Sequence, residues 1–497
     1  VKGNIKKNSS LTSKLTEEQK IVYKNFKSWL GETGEKKETS FVLSGFAGTG
    51  KTFLSTRFLR IAEKSKLCWT VVAPTHKAVG VIRQALENEK LKPTWYPSTI
   101  HRLLKLRLKR KGDIEHFEKT EQTSSALEQL GLVLIDEASM INSSLLTIIL
   151  ECAQPFKTRL VFVGDPAQLP PINEEVSPVF SMKKCAQVEL TNVVRHHGVV
   201  LNLANGFRQG KIPCIPPPYL PIIKSKNEIV GCLSKQHWLE KAQEALKESS
   251  YQNNPDGARI LCYTNRILEK LVPHARRALH GEMADQLPVL PGEILISRNA
   301  IMAPAASQGS QEGGEPDMVL GSNRELQVID VSPHDCDLSK FGLNKDSNWD
   351  VPIIKTQLIQ AKAGDLQLEL RMLPCVGTNA RKLLDATLNK IKIKAKMLPK
   401  QEGKPIWRQF FLIRDAFASL GPAAVLTVHR SQGSSFDEVF VAPDVFWPKE
   451  MTLRKQLVYV AVSRAKSAVW LVGENNNLHL KVEWEQALQK RNLKRQS

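Results

Sequence analysis

An apolar run, Phe41-Val-Leu-Ser, gives way at Gly45 to the spacing Gly45-Phe-Ala47-Gly48-Thr49-Gly50-Lys51-Thr52, and these residue types can hold a chain of phosphates. Small residues let backbone N–H groups curl around phosphate oxygens, Lys51 neutralises the β- and γ-phosphates, and the Thr52 hydroxyl offers a ligand to Mg²⁺. A second run, Leu132-Val-Leu-Ile, ends in Asp136 and Glu137. There Asp136 suits Mg²⁺ coordination, and Glu137 is placed to orient or deprotonate an attacking water. Leu160-Val-Phe-Val-Gly164-Asp165-Pro166-Ala167-Gln168 repeats the pattern of a buried strand with a polar end. Trp69-Thr-Val-Val-Ala-Pro74-Thr75-His76-Lys77 does so a fourth time; a helix opening on Thr and Lys is a seat for one phosphate, of nucleotide or of nucleic-acid backbone.

Such ends act together only if one element order brings them together. Each apolar run reads as a strand, and helical spacing follows Lys51 (Phe53, Leu54, Phe58, Leu59, Ile61) and His76, so the pattern is βα repeated. In an open parallel sheet ligands bind outside the carboxyl ends of the strands, which makes four such ends one site. The pattern pauses at Pro213 to Pro221, a proline-rich connector expected to structure nothing else. It resumes at Arg259-Ile-Leu-Cys-Tyr-Thr-Asn265, and again at Ala424-Val-Leu-Thr-Val-His429-Arg430-Ser431-Gln432-Gly433 and Leu457-Val-Tyr459-Val-Ala-Val-Ser-Arg464. Between them lie a Gly- and Ser-rich stretch from Ala305 to Asp317, expected to be mobile, and a turn at Gly321-Ser-Asn323. From Arg324 to about Arg414 the periodicity changes: Leu326-Gln-Val-Ile and Gln367-Leu-Glu-Leu-Arg-Met-Leu alternate like the strands of a small barrel, and Lys382 to Lys404 is strongly basic. An earlier basic piece, Lys105 to Glu118, alternates Leu with Lys or Arg around Lys111-Gly-Asp. A short hairpin with one cationic face is expected there, an amphipathic helix being the alternative.

The 497 residues are enough for about three domains. The composition is that of a soluble globular protein, and no run of about 18 apolar residues suggests a membrane span. The net charge of +20 favours a polyanionic partner, nucleic acid first. Eight cysteines without C-x-x-C pairs signal neither zinc nor a disulfide framework; reduced thiols in a cytosolic protein are the simplest reading. The polar, basic first residues show no secretory signal, Lys2 to Lys14 reads as a loose tail, and the chain opens on Val1 rather than Met.

Taken as an ordered set, Gln19, Gly45 to Thr52, Ala73-Pro-Thr-His, Asp136-Glu-Ala-Ser, Gly164-Asp-Pro-Ala-Gln-Leu-Pro-Pro, Arg195, Val428-His-Arg-Ser-Gln-Gly and Val460-Ala-Val-Ser-Arg-Ala resembles superfamily-1 DNA helicases. Within them it resembles the 1B branch, the Dda- and RecD-like motors, across about residues 15–475. That resemblance implies an α/β fold of two RecA-like motor domains with parallel sheets. The first would span 1–190, with a wedge hairpin at 102–128, and the second 191–323 and 416–497, interrupted at 324–415 by an SH3-like β-barrel. It implies ATP and Mg²⁺ as cofactors, a monomeric motor moving 5′ to 3′ on single-stranded DNA, forked duplex as substrate, and a cytoplasmic, nucleoid-associated setting. Single-strand-binding or replisome proteins are implied partners, and replication, repair, recombination and mobile-element upkeep all stay open.

Residue by residue, the resemblance implies that Lys51, Glu137 and Gln168 act on the γ-phosphate and water, and that Thr52 and Asp136 hold the metal. Arg195 and Arg464 would be arginine fingers, Arg195 having a surface cation as its alternative. Gln19 would read adenine, unless it serves only the helix cap begun by Thr16, and Gly433 would line the nucleotide. Pro74, Thr75, His76, Thr99, His101, Asn265, Asn323, His429, Ser431 and Gln432 would touch the DNA strand. Phe117 is the one aromatic available for a wedge tip. A P-loop ATPase that remodels protein complexes without separating strands is the competing function; strong stimulation of hydrolysis by single-stranded DNA distinguishes the two.

Overall fold

The computed structural model of the chain describes residues 15–32, 38–111, 114–192, 194, 198–225, 227–248, 254–302, 318–343, 351–374, 378–474 and 476–489. The Lys2–Lys14 tail, the 305–317 stretch, Cys375 and Arg195 lie outside them. Among the described residues, no helix is long and apolar enough to cross a membrane, and the seven described cysteines are free thiols.

Two six-stranded sheets dominate an α/β architecture. In the first the spatial order is Ser98–Thr99, Trp69–Ala73, Leu132–Ile135, Arg159–Gly164, Ser40–Gly45, Ala186–Leu190, and every pairing is parallel. The strands are near-continuous apolar runs because helices cover both faces. On one face Phe26, Phe41, Phe58 and Trp69 pack with the helices Glu17–Gly31 and Lys51–Lys64. The other face carries Ile100, Leu127, Leu146, Ile149 and Phe162.

The second sheet runs Val425–Thr427, Ala258–Cys262, Phe436–Val441, Ala465–Val472, Glu228–Leu233, Leu220–Ser225. It is parallel except for the last pair. That edge strand contains Pro221, so the proline-rich connector does enter a sheet, at an edge where a missing N–H costs least. The second half of the helix Met451–Ser463, Leu457 to Val462, is apolar all round and buried, and the helix packs on this sheet and on the helix Val199–Arg208.

Between Cys262 and Val425 the chain leaves the second sheet and builds a third, antiparallel one. Its order is Leu366–Met372, Ile353–Ala363, Glu325–Asp337, Ile294–Ser297, Leu420–Pro422. The sheet thus recruits strands on both sides of the 324–415 segment. The basic stretch in that segment is not strand at all. It forms two packed helices, Asn379–Met397 and Lys400–Asp415, because Leu384, Thr387, Ile391 and Ala395 fall at helical spacing and are the buried positions. The Lys105–Glu118 piece is a hairpin, with Arg107–Lys111 paired to Ile114–Glu118.

Candidate nucleotide and nucleic-acid site

Ser40–Gly45, Arg159–Gly164 and Leu132–Ile135 are adjacent strands, so the P-loop, Asp165 and the Asp136–Glu137 pair emerge side by side. The loop is held from beneath by Gln19. Its Nε2 donates to Thr49 O at 3.0 Å, while Thr16 N donates to its Oε1 at 3.2 Å and closes a capping box. Both ends of that buried amide are therefore used within the protein. Gly50 is left-handed, with φ +84°, and a Cβ there would meet Gln19 Nε2 at 2.6 Å, so only glycine fits. Thr52 is exposed in the first turn of the Lys51–Lys64 helix.

The Lys51 ammonium donates to Gly45 O at 2.7 Å and Phe46 O at 2.9 Å. Burial holds its pKa below the ordinary lysine value against the opposing fields of Asp165, Glu137 and Asp136. Burial also pushes the Asp136 carboxyl up to about 7, and the neighbouring Glu137 carboxylate adds to the rise. The Glu137 N–H, 2.9 Å from Asp136 Oδ1, and Lys51 oppose it. Glu137 itself is in the left-handed region at φ 53°, a strained position of the kind found at functional sites. Gln168 is buried, and its Oε1 has no hydrogen-bond partner among the described residues.

Three residues here were not picked out by sequence reasoning. Asp165 is fully buried and accepts from Tyr459 OH at 2.5 Å, from Ala167 N at 3.0 Å and from Arg208 Nη2 at 3.4 Å. The Tyr459 hydroxyl in turn accepts from Ala47 N of the P-loop at 3.0 Å. Burial and the Asp165 carboxylate push that hydroxyl well above its ordinary pKa, so it stays a donor. The Arg208 guanidinium lies 3.2 Å over the Phe46 ring. Asp165 stood inside a quoted motif, but Tyr459 was hidden in an apolar run and Arg208 gave no local signal.

The other expected site residues have neighbours of their own within the protein. Arg464 is buried and turned towards its own half, donating to Ser434 O and Ser463 Oγ, both at 3.2 Å. Gly433 is left-handed, and a Cβ there would meet Thr75 Oγ1 at 3.1 Å and the Ala78 side chain at 3.2 Å. Ser431 is fully buried and donates to Val428 O at 2.7 Å; Gln432 is buried and donates to Leu169 O at 3.0 Å, tying the two halves together. Asn323 accepts from Arg430 Nη1 at 3.0 Å. Phe117 is not at the hairpin tip: it pairs with Leu108, near the open end, and stacks on His101 at 4.0 Å.

The remaining candidates gather at helix starts. Thr75 caps the helix His76–Asn88, just after Pro74, and Thr99 caps Ile100–Leu103, which holds His101. Asn265 is exposed at the start of Asn265–His280, and the exposed His429 has its ring 6.1 Å from that of Tyr263. Burial lowers His76 to about 4, helped by Arg324, Arg83, Arg102 and His101. Burial alone lowers His101 to about 4. Both rings are therefore neutral near pH 7.

Depressed values mean that their contribution to stability is whole above pH 6.5 and is lost as pH falls through about 4, because the unfolded chain takes up protons first. Urea titrations across that window should show stability falling, and His101→Gln should flatten the fall. An unchanged pH dependence in the variant would remove the assignment.

An AAA domain family matches residues 22–216, and a UvrD-like helicase C-terminal domain family matches residues 422–472. The ATP-dependent DNA helicase dda of Enterobacteria phage T4 is 23% identical over 453 residues, covering 88% of this chain and 95% of that protein. The RecBCD enzyme subunit RecD of Mycolicibacterium smegmatis is 24% identical over 476 residues, covering 89% and 70% respectively. A crystal structure of Pif1 helicase from Bacteroides in complex with ADP-AlF3 and ssDNA superimposes with a TM-score of 0.42 at 17% identity, covering 96% of this chain and 98% of that one.

Proposed function

We propose that this chain, similar over most of its length to the superfamily-1B helicases Dda and RecD, is an ATP-dependent DNA helicase that travels 5′ to 3′ on single-stranded DNA and separates duplex ahead of it. The observation that bears most weight is the convergence of Lys51, Asp136, Glu137 and Asp165 at three adjacent strand ends, closed by Tyr459 and Arg208 from two helices packed on the second sheet. Hydrolysis at that seam can move one half against the other.

The donor set suits Mg²⁺. Thr52 offers an exposed hydroxyl, and Asp136 a carboxyl whose proton a cation would replace. The ion, when bound, neutralises charge on the transferred phosphoryl group. Lys51 binds the phosphates, Glu137 takes the proton of the attacking water, and Gln168 orients that water through its unpartnered Oε1. Arg195 and Arg464 are the proposed fingers, Arg464 exchanging Ser434 O for phosphate oxygen as the halves close. Pro74, Thr75, His76, Thr99 and His101 hold the strand from the first half, and Asn265 and His429 from the second. The neutral histidines do so by stacking and hydrogen bonding rather than by charge. In the third sheet, Met372 bridges to Ala418 beside the far edge strand, which supports reading the sheet as an SH3-like barrel.

Unwinding of tailed duplexes of both polarities tests the proposal: 5′-tailed substrates should open and 3′-tailed ones should not. Opening of 3′-tailed substrates alone would overturn the direction. Hydrolysis indifferent to single-stranded DNA would overturn the motor in favour of a protein remodeller.

Strand separation needs a rigid obstacle, and the hairpin anchored by the Phe117–His101 stack is placed to supply it. Replacing Lys109 to His116 by a Gly-containing turn keeps that stack. It should leave DNA-stimulated hydrolysis and single-strand translocation near normal while abolishing unwinding. A variant that still unwinds at the normal rate would move the wedge elsewhere.

A further inference from the structure

The helical pair Asn379–Met397 and Lys400–Asp415 stands on a small core of its own, in which Leu384, Ile391, Phe410 and Ile413 pack with Leu338 and Ile354. It adds nothing to the cores of the two motor sheets. Residues Asn379 to Asp415 hold ten Lys and Arg against three Asp and Glu, an excess far above that of the chain at large.

The outward face of Asn379–Met397 also exposes large apolar side chains: Leu383 at 46%, Ile393 at 47% and Met397 at 80%. A helix that needed only solubility would be polar there. Lys390, Ile393, Lys394, Met397 and Leu398 line a shallow, open cavity of about 300 Å³. Lys382 and Lys396 stand exposed on the same helix, and no carboxylate lines the cavity.

We propose that this face docks an acidic peptide segment of a partner protein, with one apolar side chain seated on Ile393 and Met397 and carboxylates meeting Lys382, Lys394 and Lys396. The chemistry of the face selects this occupant. A nucleic acid would satisfy the lysines but leave the apolar side chains without a partner, and a second copy of this chain, with its own net charge of +20, would be repelled. The site lies outside the motor machinery, so it stands or falls separately from the helicase reading.

Fluorescence anisotropy on the full chain tests it, the probe being a labelled peptide of Asp and Glu around a single Phe. Saturable binding is expected. Met397→Glu and Lys394→Glu should each weaken it by about tenfold or more, as should replacing the peptide's Phe by Ser. DNA-stimulated hydrolysis by both variants should match the unaltered protein, which checks that the motor is folded. Absence of saturable binding, equal affinity for the Phe and Ser peptides, or unchanged affinity in both variants would overturn the proposal. Variants that lost affinity for blunt duplex but not for the peptide would overturn it too, making the face a nucleic-acid contact.

Discussion

Glu137→Gln should slow ATP hydrolysis by about 10²- to 10⁴-fold while leaving ADP affinity unchanged, the range expected when a general base is lost. Gln keeps the size of the side chain, and the backbone N–H that Glu137 gives to Asp136 Oδ1 is untouched, so the local turn should survive. Removing the Glu137 charge also takes away one cause of the raised Asp136 pKa. Metal binding should therefore be no weaker, and the defect should fall on turnover alone. Single-turnover hydrolysis beside calorimetric ADP titration separates the two, and near-normal turnover would show that Glu137 is not the base.

The second large effect concerns the platform under the P-loop. Phe58, fully buried in the Lys51–Lys64 helix, stacks on Phe26 at 3.9 Å and meets Phe41 edge-on at 5.7 Å. Phe58→Ala should cost about 3–5 kcal/mol, the lost transfer energy plus the cavity left among rings that cannot collapse. The shift in urea midpoint reported by the buried Trp29 and Trp69 measures it. A cost under about 1 kcal/mol would mean that the rings repack.

The phosphate loop and the acidic strand end could be read from sequence because each is a local pattern: an apolar run, then a short polar signature whose spacing is its geometry. The helices at Asn379–Met397 and Lys400–Asp415 are poorly legible, because Ile391-Lys-Ile-Lys-Ala-Lys alternates with a period of two. The residues that choose between strand and helix there, Leu384, Thr387, Ile391 and Ala395, lie outside that short window or repeat every three or four. The burial of Ser431 and Gln432 is not legible in their motif, because a motif states residue type but not the direction a side chain takes. Tyr459 and Asp165 are 294 residues apart, and no local pattern announces such a meeting.

That meeting has a counterpart elsewhere between the halves. Lys77, from the first half, reaches Asp256 at 2.7 Å and Glu325 at 3.4 Å, while Arg259 holds the same Glu325 at 2.9 Å. If the halves part there, Lys77 leaves but Glu325 keeps its guanidinium, and no buried charge is stranded. At the nucleotide seam the same parting would take Tyr459 and Arg208 from the fully buried Asp165 together, leaving it Ala167 N and entering water. Parting at the nucleotide seam therefore exchanges two protein partners of Asp165 for water, whereas parting at Lys77 leaves Glu325 paired, so the Lys77 contact should yield first.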